Sequence, residues 1–270
     1  MDATLSALHL FPLKSGAPLR VDSATVEARG LAGDRRWMVV DANGVFVTGR
    51  QLARLTLVAA RPDGDALRLD APGMPTLRVA APRDGERVAT AVWGADVTPL
   101  LADAAAHAWL GEFLGQPLRL VHMDDACTRK LKAKYEGRYG TDDDLVSFAD
   151  GFPLLLISQA ALDHLNAKLA RPVPMLRFRP NLVVAGTAPH AEDGWKRIRV
   201  GEVEFEVAKA CTRCVFTTVD FDRGERDPAG EPLRTLTTYR RSPDGVTFGQ
   251  NLIPRGHGVV RVGDPVEVLA

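Results

Sequence analysis

Trp37-Met38-Val39-Val40-Asp41, then Ala42-Asn43-Gly44, then Val45-Phe46-Val47-Thr48 decide how the chain is read. Two apolar, β-branched runs meet across an Asn-Gly step that tolerates positive φ, so the segment is expected to be a β-hairpin. The surrounding hundred residues repeat the pattern: short apolar runs separated by Gly, Pro and Asp, the rhythm of strands and turns rather than helices. The pattern changes at 101–114, rich in Ala and Leu, where Leu101, Ala105, Trp109 and Phe113 fall at helical spacing. One amphipathic helix is expected to close this half, with a boundary near Gly115 that divides the chain into 1–115 and 116–270.

Beyond the boundary, Asp124 to Asp144 lacks an apolar period and carries Arg129, Lys130, Lys132, Lys134 and Arg138 ahead of Asp142-Asp143-Asp144. It is read as a surface loop or lid, with a phosphate-binding patch as the sharper alternative. Pro153 to Ser158 is an apolar run, and Leu162, Leu165 and Leu169 then share a helical face, so a strand should lead into a helix. Arg199 to Val207 and Arg261 to Leu269 each read strand-turn-strand with alternating polarity and are expected to be hairpins. The second half is therefore expected to be a closed or nearly closed β-barrel carrying a helix or two.

The chain has 270 residues, 46% hydrophobic and 25% charged, which is ordinary globular usage and excludes a mostly disordered chain. Thirty-four basic residues balance thirty-four acidic ones. A formal charge of zero argues against a broad nucleic-acid or anionic-membrane surface. The start Met1-Asp2-Ala3-Thr4 has no basic and apolar leader, and no run of about 18 uncharged apolar residues occurs, so a soluble, unexported chain without a membrane segment is expected. Three cysteines cannot pair completely, which fits a reducing cytoplasm, and they fall short of an all-cysteine iron–sulfur cluster.

The close thiol pair is Cys211-Thr212-Arg213-Cys214. Four readings stand: two buried apolar side chains, half of a zinc site completed by His122 and Cys127, a dithiol redox couple, or a single thiolate used on a larger cofactor or as a nucleophile. Arg213 favours the last, because a cation beside a thiol stabilises the thiolate that metals and electrophiles require. Lys14-Ser15-Gly16 offers an ammonium, a hydroxyl and a small residue to an anion, although an exposed turn has the same composition. Arg35, in Gly33-Asp34-Arg35-Arg36, faces either solvent or a phosphate. Arg177, Arg179 and Asn181 would share one face if their segment is extended, either solvated or binding. No Walker A, GxGxxG, GxSxG, HxxxH or EF-hand pattern is present, so the common motifs for ATP, NAD, serine hydrolysis and calcium are silent.

Six ordered landmarks together resemble one family: Phe11-Pro12-Leu13-Lys14-Ser15, Gly30-Leu31-Ala32-Gly33-Asp34-Arg35-Arg36-Trp37, Thr48-Gly49-Arg50-Gln51, Phe178-Arg179-Pro180-Asn181, Cys211-Thr212-Arg213-Cys214-Val215 and Phe248-Gly249-Gln250. Nearly end to end, the chain resembles MOSC proteins that carry an N-terminal MOSC β-barrel domain, such as the mitochondrial amidoxime reducing component and bacterial hydroxylaminopurine-reducing relatives. The resemblance implies a mainly β fold with some α, an N-terminal β-barrel-like domain at 1–115 followed by a MOSC β-barrel domain at 116–270. It implies a molybdenum cofactor, a molybdopterin with oxo groups on the metal, between the domains. Cys214 matches the position that supplies thiolate to molybdenum, and Lys14, Ser15, Arg35, Arg179, Asn181, Thr212 and Arg213 match positions that hold the pterin and its phosphate. Asp150 matches an acidic position near the metal.

The activity implied is two-electron reduction of small N-oxygenated substrates, hydroxylamines, amidoximes or hydroxylaminopurines, with release of water. The alternative is a molybdenum cofactor carrier or sulfur-handling protein without turnover, because MOSC domains also occur fused to molybdenum cofactor sulfurases. Some bacterial relatives end in a plant-type ferredoxin domain, whereas this chain ends at Ala270 after the final expected hairpin, so an external donor protein of flavin, iron–sulfur or haem type is expected. Ala126-Cys127-Thr128-Arg129-Lys130 imitates the Cys211 motif with Lys in place of the second thiol, and Cys127 is read as a decoy in a surface loop.

Overall fold

The computed structural model describes residues 2–132, 135 and 137–270. The chain is mostly β, with 38% strand against 17% helix, as the strand-and-turn rhythm implied. Its largest sheet runs in the order Leu19–Val21, Thr4–Leu10, Leu182–Ala185, Leu154–Ser158, Gly245–Pro254, Val203–Thr212, Arg197–Val200, Val266–Val268. Neighbours are antiparallel except Leu154–Ser158 beside Leu182–Ala185. The last strand of this path meets the second: Leu5 N donates to Asp264 O, Val266 N donates to Ala3 O, and Thr4 bridges Pro265. The second-half barrel therefore closes, and the strand that closes it comes from the first half.

Closure explains the non-alternating apolar run at 154–158. Leu154 and Leu156 point into a core with Leu5, Leu8, Leu182, Val184, Ile198, Phe205 and Leu252. Leu155 and Ile157 point out, under helix Gln159–Asn166 and against Phe178 and Phe248. A strand covered on both faces has no reason to alternate. Ser158 ends the strand and caps the helix, its Oγ accepting from Ala161 N at 3.2 Å. One bulge in Gly245–Pro254 falls at Phe248-Gly249, where φ of +76 and the nearness of Leu156 O leave room for no side chain but glycine's hydrogen.

The first half has its own core, where Trp37, Val39, Leu55, Leu67, Leu69 and Val79 pack against Trp109, Leu110 and Phe113 of helix Ala104–Leu114. Asp103 caps that helix, accepting from Ala106 N at 2.8 Å. The Asn43-Gly44 turn is present, and Asp41 Oδ1 accepts from Asn43 N and Val45 N across it. Its second arm is only a bridge from Phe46 to Val40, and Trp37–Val40 spends its other edge on Arg119–His122. Among the described residues no helix is long and apolar enough to cross a membrane.

Three expectations are corrected. Arg261 to Leu269 is not a hairpin, because Gly258–Arg261 pairs with Ser23–Glu27 while Val266–Val268 pairs with Arg197–Val200. Arg177 and Arg179 do not lie on an extended strand: Met175–Phe178 is a 3-10 helix ended by Arg179 at φ +56, and Arg177 turns away to Thr218 O and Asp220. The segment from Asp124 to Asp144 is not wholly a surface loop. Cys127 is buried among Met38, Val40, Val121 and Phe148, and Arg129 is buried with its guanidinium donating to the carbonyls of Ser147, Ala149 and Asp150. Lys134, one of the cations noted there, lies outside the described residues.

Candidate functional site

The turn after Thr4–Leu10 carries Lys14 and Ser15, locked to the first half where Lys14 N donates to Trp37 O. Arg35 precedes Trp37–Val40, Asp150 precedes Leu154–Ser158, and Arg179 and Asn181 precede Leu182–Ala185. Thr212, Arg213 and Cys214 lie at the end of Val203–Thr212. All nine line one cleft of about 350 Å³ between the halves, large enough for a cofactor-sized ligand.

At one wall, Arg35 and Arg179 both stack on Phe11, their guanidinium carbons 4.6 and 4.1 Å from the ring centre. Arg35 pairs with Asp34 and donates to Asn181 Oδ1 at 3.0 Å and Arg179 O at 3.3 Å. Much of the Asn181 amide is engaged within the protein, where Nδ2 donates one N–H to His9 O and Oδ1 also accepts from Leu155 N. Arg179 is only 8% exposed and donates through Nη1 to Gly16 O at 2.6 Å. Burial, then the charge of Arg35, lowers its pKa. Arg213 donates to Phe248 O and Phe178 O. Each of these last two keeps a buried Nη2 with no partner.

At the other wall, Lys14 Nζ donates to Phe148 O at 2.7 Å and to Asp150 Oδ1 at 2.6 Å. Burial outweighs the attraction of Asp150 and pushes the Lys14 pKa down to about 8. The Asp150 carboxylate keeps 57% of its surface, in the cleft. Burial works against its ionisation, yet Lys14 and Arg50 hold it well below the usual carboxylate range. Cys214 heads the 3-10 helix Val215–Thr218 and receives a hydrogen bond on Sγ from Arg50 Nε at 3.1 Å. Cys211 packs beside Phe178 and Phe248, where burial raises its thiol pKa. The four zinc-reading residues divide: Cys127 lies in the cluster under the hairpin, His122 stacks on Trp37, and Cys211 and Cys214 lie at the cleft.

The cleft thus offers partnerless guanidinium nitrogens and an ammonium to a polyanion, and a thiol beside a cation to a soft metal or electrophile. Two residues here were given no role in the sequence. Arg50 lay within a landmark but touches Cys214 and Asp150, 164 and 100 positions away. Trp93 donates its indole N–H to Asp150 Oδ1 at 3.1 Å from the turn joining Thr90–Val92 to Ala95–Val97. Nothing local in the sequence points from Trp93 to Asp150, 57 positions away.

The model of the MOSC N-terminal beta barrel domain matches residues 2–117, and that of the MOSC domain matches 143–267. The Mus musculus mitochondrial amidoxime-reducing component 1 is 35% identical across 98% of this chain and 82% of its own length. The Xenopus laevis counterpart is 33% identical across 97% of this chain and 81% of its own, and the Homo sapiens one 33% across 98% and 83%. The chain belongs to the MOSC family, with a MOSC N-terminal beta barrel domain ahead of its MOSC domain and mitochondrial amidoxime-reducing components among its relatives.

Proposed function

We propose that this protein is a molybdenum-cofactor-dependent reductase of small N-oxygenated compounds such as hydroxylamines, amidoximes and hydroxylaminopurines. The observation that carries the reading is the pair of buried, partnerless nitrogens, Arg179 Nη2 and Arg213 Nη2, in the lining of the cleft that also presents the Cys214 thiol. An unmade buried hydrogen bond costs about 1–3 kcal/mol, and more on a charged group, so the cleft favours an anionic ligand. A pterin phosphate supplies the missing acceptors, and a thiolate is the donor that a soft metal centre takes. The donor set fits the cofactor. The names of the relatives support the substrate class.

In this reading Lys14, Ser15, Arg35, Arg179, Asn181, Thr212 and Arg213 hold the pterin and its phosphate, with Asn181 Oδ1 also fixing Arg35. Cys214 is the protein ligand of the metal. When bound, the cofactor would supply the two electrons with which R–NHOH and two protons give R–NH2 and water. Asp150, ionised and open to the cleft, accepts a hydrogen bond from the substrate's N–H or O–H and orients it. The electrons arrive from a separate flavin, iron–sulfur or haem protein.

The test is elemental analysis of protein from a host that makes molybdenum cofactor, then reduction of an N-hydroxylated base with an artificial one-electron donor. Arg179→Gln and Arg213→Gln should each lower molybdenum occupancy about tenfold, since charge-assisted bonds are worth roughly 1.5–3 kcal/mol, while exposed Arg83→Gln should not. Zinc in place of molybdenum would refute the reading. Molybdenum without turnover would favour the cofactor-carrier reading instead.

A further inference from the structure

Arg50 spends three parts of one guanidinium on three neighbours. Its Nε donates to Cys214 Sγ at 3.1 Å, its Nη2 donates to Asp150 Oδ2 at 2.7 Å, and its face lies 4.6 Å from the centre of the Trp93 ring. Asp150 is fixed in turn, because its Oδ1 accepts from Lys14 Nζ and from Trp93 Nε1. Trp93 holds a φ of +54, a conformation that a bulky side chain rarely adopts and that the surrounding contacts must impose. Its ring is 38% exposed yet meets Phe46 edge to face at 5.0 Å. A strained turn in the first half is thus committed to holding Arg50, and Arg50 is the group that reaches the thiol.

We propose that Arg50 is a positioning residue for the Cys214 thiol, holding Sγ in one orientation and drawing electron density from it, with Asp150 and Trp93 as its brace. The inference rests on the reading of Cys214 as the metal's protein ligand. Hydrogen bonds and charge at a ligating sulfur set the potential of the metal it holds and the direction in which it presents its lone pairs. Arginine suits the task because its rigid planar fork serves sulfur and carboxylate at once, whereas the ammonium of a lysine is a point donor. A guanidinium stays protonated across the physiological range, so the charge it presents to Sγ does not depend on pH.

The hydrogen bond is tested first in cofactor-free protein, by the solvent exchange of the arginine Nε–H groups in nitrogen-resolved NMR. Arg50 Nε–H should exchange at least about tenfold more slowly than that of exposed Arg83, and Cys214→Ala should abolish the protection. Trp93→Phe keeps the ring face and removes the N–H to Asp150, and should speed the exchange severalfold. In molybdenum-loaded protein, Arg50→Met should move the metal's reduction potential negative and lower kcat about 10–100-fold, with molybdenum content and KM near wild type. Arg50→Lys should restore most of the potential but little of kcat. Unprotected Arg50 Nε–H in the cofactor-free protein overturns the proposal, as does an unmoved potential in Arg50→Met or full restoration by Arg50→Lys. Absence of molybdenum from the wild type refutes the reading of the metal instead, and the exchange measurement still decides whether Arg50 holds the sulfur.

Discussion

Cys211 and Cys214 stand three positions apart and meet opposite surroundings. Cys211 packs against the cluster of Leu155, Phe178 and Phe248, whereas Cys214 receives Arg50 at the cleft. Cys211→Ala should therefore cost about 1 kcal/mol of stability and leave most N-reduction in place. Cys214→Ser should abolish it, because a hydroxyl differs from a thiolate in softness and charge. Thermal midpoints and hydroxylamine turnover of the two variants check this, and equal, complete loss in both would reject Cys214 as the sole protein ligand. The nine residues that the family resemblance matched to a cofactor site do line one cleft, whereas residue chemistry alone left Lys14, Arg35, Arg179 and Cys214 with competing readings and gave Asp150 none. What each touches was not visible. The Asn181 amide meets His9, Arg35 and Leu155, and Arg50 touches Cys214 across 164 positions, a relation that no local spacing encodes.

The 3-10 helix that Cys214 heads lies, through Phe216, against a glycine from the other half. A Cβ on Gly49 would lie 2.2 Å from Phe216 Cε2 and 2.9 Å from Cζ, so the loop around Arg50 can approach only without a side chain. Gly49→Ala should cost about 1–3 kcal/mol, the usual range for overpacking, and should lower turnover by displacing the helix beside Cys214. Phe216→Leu in the same chain should recover part of both losses, and a double-mutant cycle measures the coupling. Additive losses would show that the two do not meet. Elements set by local period were legible: the Asn43-Gly44 turn, helix Ala104–Leu114 and the strand leading into helix Gln159–Asn166. Elements set by distant partners were not. Arg261 to Leu269 alternates like a hairpin, yet its two strands pair with opposite parts of the molecule, and Met175–Phe178 coils between two prolines, so the condition under which Arg177, Arg179 and Asn181 would share a strand face is not met.

At the scale of the whole molecule, Thr4–Leu10 makes the two halves one folding unit, since it lies between Leu182–Ala185 and Leu19–Val21 and closes the barrel at Pro265. Unfolding should accordingly be a single transition by calorimetry and by tryptophan fluorescence, and two resolved transitions would contradict the shared sheet. The same unity governs the response to acid. His122, stacked on Trp37 in the first half, and His190, packed on Tyr239 and Phe248 in the second, are both pushed down to about 4, chiefly by burial. Between pH 6.5 and 4 the unfolded chain binds protons at these imidazoles that the folded chain refuses, so stability falls as pH falls through that window. The lowered carboxyls of Asp144 and Asp150 begin to contribute only below it. His122→Phe keeps a ring against Trp37 and removes the titration. It should flatten the pH dependence of unfolding free energy by up to about 1.4 kcal/mol per pH unit within the window and leave it unchanged near pH 8. Because the halves share a sheet, the gain should appear in the one transition of the entire chain. Urea titrations at pH 4.5, 5.5 and 8 measure it, and an unchanged slope would mean that His122 is charged in the folded protein.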